Sequence, residues 1–347
     1  MKKANPAKRD SATRRKKIRV AINGFGRIGR AAFKIIGDSK KYEVVAINDL
    51  APVETLAYLL KYDTVYGRYN KKVSYSANNI IVNAKKYHVT SQKEPQKLPW
   101  KKLNIDVVLE CTGFFVKDGA ASAHIQAGAK KVIISAPTKG EGNVATFLLG
   151  VNENKYGKQK VISNASCTTN CIAPVAQVLV SKFGVAKAMM TTIHSYTGDQ
   201  ALVDGPHKDF RRGRSAAANM VPTTSGAAIA TAKVIPELEG LFDGLAIRVP
   251  TPVVSLSDFT FVLKKDVTVK QINDALIAAS KSKRYQGILG VTDEPVVSSD
   301  FIGDSRSSIV DLSLTKVVGG NMVKIIAWYD NEWGYSARLV DMIGQIS

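Results

Sequence analysis

IRVAINGFGRIGR, residues Ile18 to Arg30, passes from an apolar run directly into three glycines and then into residues with helical spacing. Ile18 to Gly24 reads as a buried strand, and the segment from Arg27 reads as a helix closing near Gly37. Between them Gly24, Gly26 and Gly29 keep G-x-G-x-x-G spacing. A glycine-rich turn alone is common, but one entered by a strand and left by a helix is the phosphate turn of a dinucleotide site. Gly24 permits the tight turn, Gly26 lets the backbone approach a pyrophosphate seated on the helix N-terminus, and Gly29 lets helix and strand pack closely. A second strand, Tyr42 to Asp49, ends in an acid 20 residues beyond Gly29, the distance expected of a carboxylate that bonds a ribose hydroxyl. Asp49 would repel a 2′-phosphate, so NAD is expected rather than NADP. The competing reading, a structural turn with no ligand, does not account for that acid.

Further short apolar strands are predicted at 106–113, 130–137 and 160–166, with helix-compatible residues such as 120–129 between some of them. Alternation of this kind implies parallel strands with crossover helices, the doubly wound α/β class. The pattern then changes. Residues 187–197, 245–266 and 308–331 are long β-rich stretches with a single helix, 268–282, among them, which suggests a mainly antiparallel sheet. The closing segment 335–346 reads as a helix that returns to the first domain. The expected organisation is a basic tail (1–17), a Rossmann NAD-binding domain (18–166 with 331–347) and an α+β catalytic domain (167–330). Residues 196–221 are rich in Gly, Asp and Arg without periodicity, and a loop of that length is functional or an interface.

Composition narrows the function classes. The net charge is +20, and residues 1–17 hold eight Lys or Arg against one Asp. A solvated tail on a basic surface that attracts anionic substrates is the plain reading. Nucleic-acid or anionic-surface binding through the tail is the sharper one, but no zinc-finger spacing, RNP-like aromatic motif or basic helix accompanies the charge. No apolar run reaches membrane-spanning length, no leader opens the chain, and three cysteines make no disulfide framework. A cytoplasmic location without membrane association is expected.

Two of those cysteines lie in SNASCTTNC, Ser163 to Cys171, just ahead of an apolar run that ends at Gly184. Ser, Asn and Thr before such a run are N-cap chemistry, so Cys167 is expected at a helix N-terminus. A metal site would need more ligands. The free N–H groups and dipole of a helix start favour a thiolate and lower the thiol pKa, which marks Cys167 as a nucleophile. Cys171, one turn on, reads as core, as does Cys111 at a strand end. Of four histidines, His88 and His124 fit surface positions and His207 sits in the irregular loop. His194 ends a strand, where a Cys–His pair could meet. Spacing alone leaves that pairing open.

INGFGRIGR, ASCTTNC, HSYTGDQ, IRVPTP and WYDNEWGYS, in this order and from Ile18 to the C-terminus, resemble the phosphorylating glyceraldehyde-3-phosphate dehydrogenases. The resemblance implies oxidation of glyceraldehyde 3-phosphate through a hemithioacetal and thioester on Cys167, with His194 as base and inorganic phosphate as acyl acceptor. It implies a substrate-phosphate site at Thr197 and Arg248, with Asp199 orienting the arginine. A second anion site is implied at Ser166, Thr168, Arg212, Ser225 and Gly226, with Ser225 in place of the usual threonine. Which of Arg211, Arg212 and Arg214 points inward stays open. For the cofactor it implies Arg27 and Ile28 after the glycine turn, Asp49 on the adenosine ribose, and Ser135 toward the nicotinamide half. Asn331 is implied on the carboxamide and Tyr335 against the ring. A homotetramer and no metal are also implied. Erythrose-4-phosphate dehydrogenase shares the cysteine motif, but that family tends to depart from the SYTGDQ retained here.

Overall fold

The computed structural model describes residues 17–142 and 144–347; apart from Lys17, the basic stretch 1–17 lies outside them. The first half of the chain forms β1 (Ile18–Asn23), α1 (Arg27–Gly37), β2 (Tyr42–Asn48), α2 (Val53–Lys61), β3 (Val73–Ser76), β4 (Asn79–Val82) and β5 (Lys85–Thr90). It continues with β6 (Val107–Glu110), α3 (Ala123–Gln126), β7 (Lys131–Ile134) and β8 (Val161–Ser163). These strands make one eight-stranded sheet in the order β3-β4-β5-β2-β1-β6-β7-β8. β1 lies between β2 and β6, parallel to both. The strand order reverses there, and a crevice opens at the carboxyl end of β1, where doubly wound folds bind ligands.

Parallel pairing holds from β5 to β8 and fails at one edge, where β3 and β4 run antiparallel. The β4–β5 turn, Asn83 and Ala84, has positive φ at both residues (47° and 69°), the backbone a two-residue hairpin requires. It lacks the glycine that advertises such a turn in a sequence.

The second half forms α4 (Cys167–Phe183), β9 (Val185–Ser195), β10 (Val221–Thr224), α5 (Ala227–Val234), β11 (Phe242–Val249), β12 (Ser255–Leu263) and α6 (Val269–Ser280). β13 (Leu289–Thr292), β14 (Ser308–Asp311), β15 (Lys316–Val318), β16 (Met322–Tyr329) and α7 (Trp333–Ile346) complete it. The second sheet runs β10-β11-β9-β12-β16-β14-β13, with β15 on β16. It is antiparallel except for the β11–β9 and β13–β14 pairs. β12 shows why it forms: every second residue from Ser255 to Leu263 is buried. Its Phe259 and Phe261 pack with Ile172, Val175 and Leu179 of α4, each such side chain contributing about 1.5–3 kcal/mol on burial.

α7 crosses back to the first sheet, where Leu339, Val340 and Ile343 share a core with Phe33 and Ile36 of α1. Asn331 and Tyr335 are thereby carried to the mouth of the β1 crevice. Among the described residues no helix is long and apolar enough to cross a membrane.

Candidate active site

Cys167 is presented by a forced turn. β8 ends at Ser163, and the fully buried Ala165 has φ 52°, a left-handed conformation that costs a non-glycine residue on the order of 1–3 kcal/mol. Two hydrogen bonds pin it: its N–H donates to Ser163 Oγ at 3.0 Å, and its carbonyl accepts from Tyr335 Oη at 2.8 Å. The chain then enters α4 with Ser166 as N-cap, its Oγ accepting the Thr169 N–H at 3.1 Å. Cys167 is the first residue of that helix. Cys171, one turn on, points into the core with its sulfur 3.6 Å from Ser308 Oγ, and burial pushes its thiol up to about 12.

His194 faces Cys167 with Nε2 3.5 Å from Sγ. Its Nδ1 lies 2.7 Å from the carbonyl of Ser195 and donates to it, which leaves Nε2 as the acceptor aimed at the thiol. Parallel pairing of β9 with β11 sets Arg248 beside His194. Arg248 Nη1 is 3.1 Å from that same Nδ1, but both are donors, and both converge on the Ser195 carbonyl. Arg248 Nη1 also donates to Thr197 Oγ1 at 3.1 Å, while its Nε is buried without a partner.

Burial, and next the Arg248 charge, push the His194 imidazole down to about 3. Burial also raises the Cys167 thiol above its ordinary value, against the lowering effects of Arg248, Thr168 and the local backbone. Desolvation in the packed site therefore opposes the thiolate that the helix N-terminus is expected to favour. Proton transfer from Sγ to Nε2 needs no further movement of heavy atoms.

Asp199 accepts from Thr197 Oγ1 and pairs directly with Arg212 at 2.8 Å, reaching Arg248 only through Thr197. Burial works against ionisation of Asp199, yet Thr197, Arg248 and Arg212 hold its carboxyl below the usual range. Of the three loop arginines, Arg212 turns inward to Asp199 and Thr223, while Arg214 bonds Asp204 and Arg211 reaches toward the Pro222 carbonyl. Ser225 and Gly226 open α5 and connect to this group through the Arg212–Thr224 contact. They do not line the cysteine cleft itself. Thr168 is buried beneath it, its Oγ1 4.0 Å from Sγ and 2.9 Å from Tyr329 Oη.

The cleft, about 330 Å³, is walled by Ser166, Cys167, His194, Thr197 and Arg248 on the second-sheet side. Arg27, Ile28, Ser135, Asn331 and Tyr335 close it from the first-sheet side. A neighbouring cleft of about 540 Å³ holds Gly24, Gly26 and Asp49 together with Cys111, Thr112 and Phe114. Gly24 and Gly29 have the backbone requirements expected of them. Gly24 has φ 89°, and a Cβ on Gly29 would stand 2.1 Å from the Gly24 carbonyl. A Cβ on Gly26 would meet nothing within 4 Å, so this glycine faces open space. No side chain caps the N-terminus of α1, and its first N–H groups remain available to an anion. Asp49 is fixed by the N–H groups of Phe25 (2.7 Å) and Ala51 (2.9 Å). Asn331 accepts from Ser255 Oγ at 2.9 Å, which turns its amide N–H groups toward the cleft. These features fit a dinucleotide. The Arg27 side chain is otherwise engaged, bonded to Glu332 and Asp63, so its backbone is what the cleft can use.

Two features escaped sequence reasoning. Tyr329 is fully buried and donates or accepts between Thr168 and Thr192, beneath the cysteine. His124 is fully buried rather than at the surface: Nδ1 accepts from Trp100 Nε1 at 3.0 Å and Nε2 donates to Glu110 at 2.9 Å. Glu110 also accepts from Asn23 at 2.6 Å and from both the N–H and hydroxyl of Thr112. His124 falls on a one-turn helix whose sequence has no pattern pointing to a distant carboxylate.

Comparison with known proteins agrees with this geometry. Residues 18–118 match the family described as glyceraldehyde 3-phosphate dehydrogenase, NAD binding domain, and residues 166–331 its C-terminal domain. Glyceraldehyde-3-phosphate dehydrogenase of Geobacillus stearothermophilus is 51% identical over 332 residues, covering 95% of this chain and 98% of the relative. Glyceraldehyde-3-phosphate dehydrogenase 1 of Bacillus subtilis (strain 168) has the same identity and coverage, and the Zymomonas mobilis enzyme is 50% identical over 333 residues, 95% of this chain and 98% of its own.

Proposed function

The chain belongs to the glyceraldehyde-3-phosphate dehydrogenase family, and from that premise we propose how its residues divide the chemistry. The reaction is the oxidative phosphorylation of D-glyceraldehyde 3-phosphate to 1,3-bisphosphoglycerate with reduction of NAD. The observation that carries the residue roles is the 3.5 Å approach of Cys167 Sγ to His194 Nε2 at the start of α4.

Cys167 passes its proton to His194 Nε2 as sulfur attacks the aldehyde carbon, and His194 returns the proton to the new oxyanion, giving a hemithioacetal. NAD, when bound, supplies the acceptor for the hydride that leaves this carbon. His194 takes the hydroxyl proton as the carbonyl of the thioester forms, and later releases it to solvent. A thioester conserves the oxidation energy because thiolate is a good leaving group. Phosphate oxygen attacks the acyl carbon, the C–S bond breaks, and the phosphate's proton ends on sulfur.

Arg248 and Thr197 hold the substrate phosphate, supported by the unpartnered, buried Nε of Arg248. Ser166, Thr168, Arg212, Ser225 and Gly226 serve the attacking phosphate, with Asp199 tensioning Arg212. The uncapped N-terminus of α1 with Gly24, Gly26, Gly29, Arg27 and Ile28 receives the pyrophosphate, Asp49 the ribose, and Ser135, Asn331 and Tyr335 the nicotinamide end. The NAD-binding domain comprises 18–166 and 331–347, and the catalytic domain 167–330. A cytoplasmic homotetramer completes the reading. Its support is the loop 196–221, where Phe210 is 90% and Leu202 75% exposed with Val203 and Met220 beside them, an apolar surface of the kind subunit contacts cover.

NADH absorbance on mixing protein, aldehyde, NAD and phosphate tests the function. Sustained, multiple-turnover signal that needs all three, with glyceraldehyde 3-phosphate preferred over erythrose 4-phosphate, is expected. A steady-state rate independent of phosphate, beyond one NADH per active site, would refute the acyl-phosphate step. Light scattering tests the tetramer.

A further inference from the structure

Asn331, assigned above to the nicotinamide end of the cleft, stands between two acids to which the proposed chemistry gives no role. Asp330 is 1% exposed, and Glu332 is largely buried beside it. Each is tied to a segment distant in sequence. The Asp330 carboxylate accepts from Tyr66 Oη at 2.8 Å, and from the N–H groups of Gly303, Glu332 and Trp333 at between 2.7 and 2.9 Å. Both oxygens of Glu332 accept Nε of Arg27 at 2.9 Å.

Those two ties meet. Arg27 Nη1 donates to Asp63 at 2.7 Å, and the other oxygen of Asp63 accepts the N–H groups of Val65 and Tyr66 at 2.9 and 3.1 Å. A closed circuit results: Asp330 to Tyr66, to Asp63, to Arg27, to Glu332, and back along the chain through Asn331. The aromatic ring of Tyr66 packs 5.3 Å from that of Trp333 and 5.5 Å from the Arg27 guanidinium carbon. Burial raises the carboxyls of Asp330 and Glu332 against the pull of their hydrogen-bond partners, so the circuit carries a desolvation cost that apolar residues of the same size would not. Its place in the fold shows what it fixes. Arg27 opens α1 directly after the phosphate turn, and Asn331 is held by the circuit on both sides of its backbone while Ser255 holds its side chain.

We propose that Tyr66 and Asp63, acting through Asp330 and the Arg27–Glu332 pair, are positioning residues for the nicotinamide. They lock the Asn331 backbone at one place relative to the phosphate turn. A dinucleotide seated on the turn then finds its carboxamide partner already set, and no binding energy goes into ordering it. This rests on the function proposed above, in which Asn331 meets the carboxamide. Opening the circuit at Tyr66 or at Asp63 leaves Asn331 tied from one side only, so a second opening adds little to the first. The loss falls on the nicotinamide and spares the rest of the cofactor, because Asp49 has its own support in the N–H groups of Phe25 and Ala51.

The test is fluorescence titration of the full chain with NAD and with ADP-ribose, the same molecule lacking the nicotinamide. Tyr66→Phe removes the bond to Asp330 and keeps the aromatic packing. Asp63→Asn keeps an oxygen for the Val65 and Tyr66 N–H groups and loses the bond to Arg27. Each should weaken NAD binding about fivefold or more and leave ADP-ribose within about twofold, the lower end of couplings between sites. The double variant should resemble either single one. In an Asn331→Ala background, where the amide is gone, Tyr66→Phe should change NAD binding no further. A residue that only stabilises the fold would act on both ligands alike and in both backgrounds. Equal losses for NAD and ADP-ribose, or a full Tyr66→Phe effect without the Asn331 amide, would overturn the proposal. If Asn331→Ala weakens NAD binding and neither circuit variant does, this proposal alone falls; if Asn331→Ala leaves NAD binding intact, the assignment of Asn331 falls and takes the proposal with it.

Discussion

Replacing His124 with leucine should destabilise the protein more than its distance from the chemistry suggests. The side chain is fully buried and both ring nitrogens are used, Nδ1 by Trp100 and Nε2 by Glu110. His124→Leu removes a donor from a buried carboxylate, where a hydrogen bond to a charged group is worth about 1.5–3 kcal/mol. It also leaves the indole N–H of the fully buried Trp100 without its acceptor, at a cost of about 1–3 kcal/mol. Part of each is recovered by relaxation, so a net loss of about 3 kcal/mol is expected. At roughly 2–4 °C per kcal/mol for a domain of this size, the thermal midpoint should fall by about 6–12 °C. His124→Asn, whose Oδ1 stands near the place of Nδ1, should keep the Trp100 contact and lose about half as much. Glu110 also fixes Thr112, on the wall of the Asp49 cleft, so KM for NAD should rise with kcat nearly unchanged. Differential scanning calorimetry with steady-state kinetics measures both. A midpoint within 1 °C of wild type would refute the reasoning, because the four-donor carboxylate would then not depend on its histidine.

Cys167→Ser should abolish turnover while fluorescence titration still reports NAD binding, whereas Cys171→Ser, confined to the core near Ser308, should keep most activity; a near-normal rate for the first variant would unseat the nucleophile. Asp49→Gly should narrow the preference for NAD over NADP by removing the anion held by Phe25 and Ala51, and catalytic efficiency with NADP already equal to that with NAD in the wild type would sink this. For pH, His194 is held near 3 in the fold against an unfolded value of about 6.5. The unfolded state therefore binds the extra proton between those values, and this part of the stability is complete above about 6.5 and lost as pH falls toward 3. The stability gap between wild type and His194→Asn should change with pH across that window and be flat above it; a flat difference throughout, read by denaturant midpoints, would show that the imidazole is not desolvated.

Local patterns were enough for much of this molecule. The strand–glycine–helix run of Ile18 to Arg30 announces its fold because each residue's requirement is met by near neighbours: Gly24 by its own φ, Gly29 by the Gly24 carbonyl five residues back. The start of α4 is legible for the same reason, since Ser166 caps it by accepting the N–H of Thr169, three residues on. Contacts between distant segments were not legible in local pattern and entered only through the family resemblance. That His194 faces Cys167, and that Arg248 stands beside His194, follow from β9 pairing with β11 and from the Ala165 turn, which no short window contains. Which loop arginine turns inward depended on Asp199 and Thr223 lying on either side of Arg212. The burial of His124 and the rise of the Cys167 thiol share one cause: desolvation is a property of the packed whole, and a side chain's solvent exposure is decided only when the sheets and helices close around it.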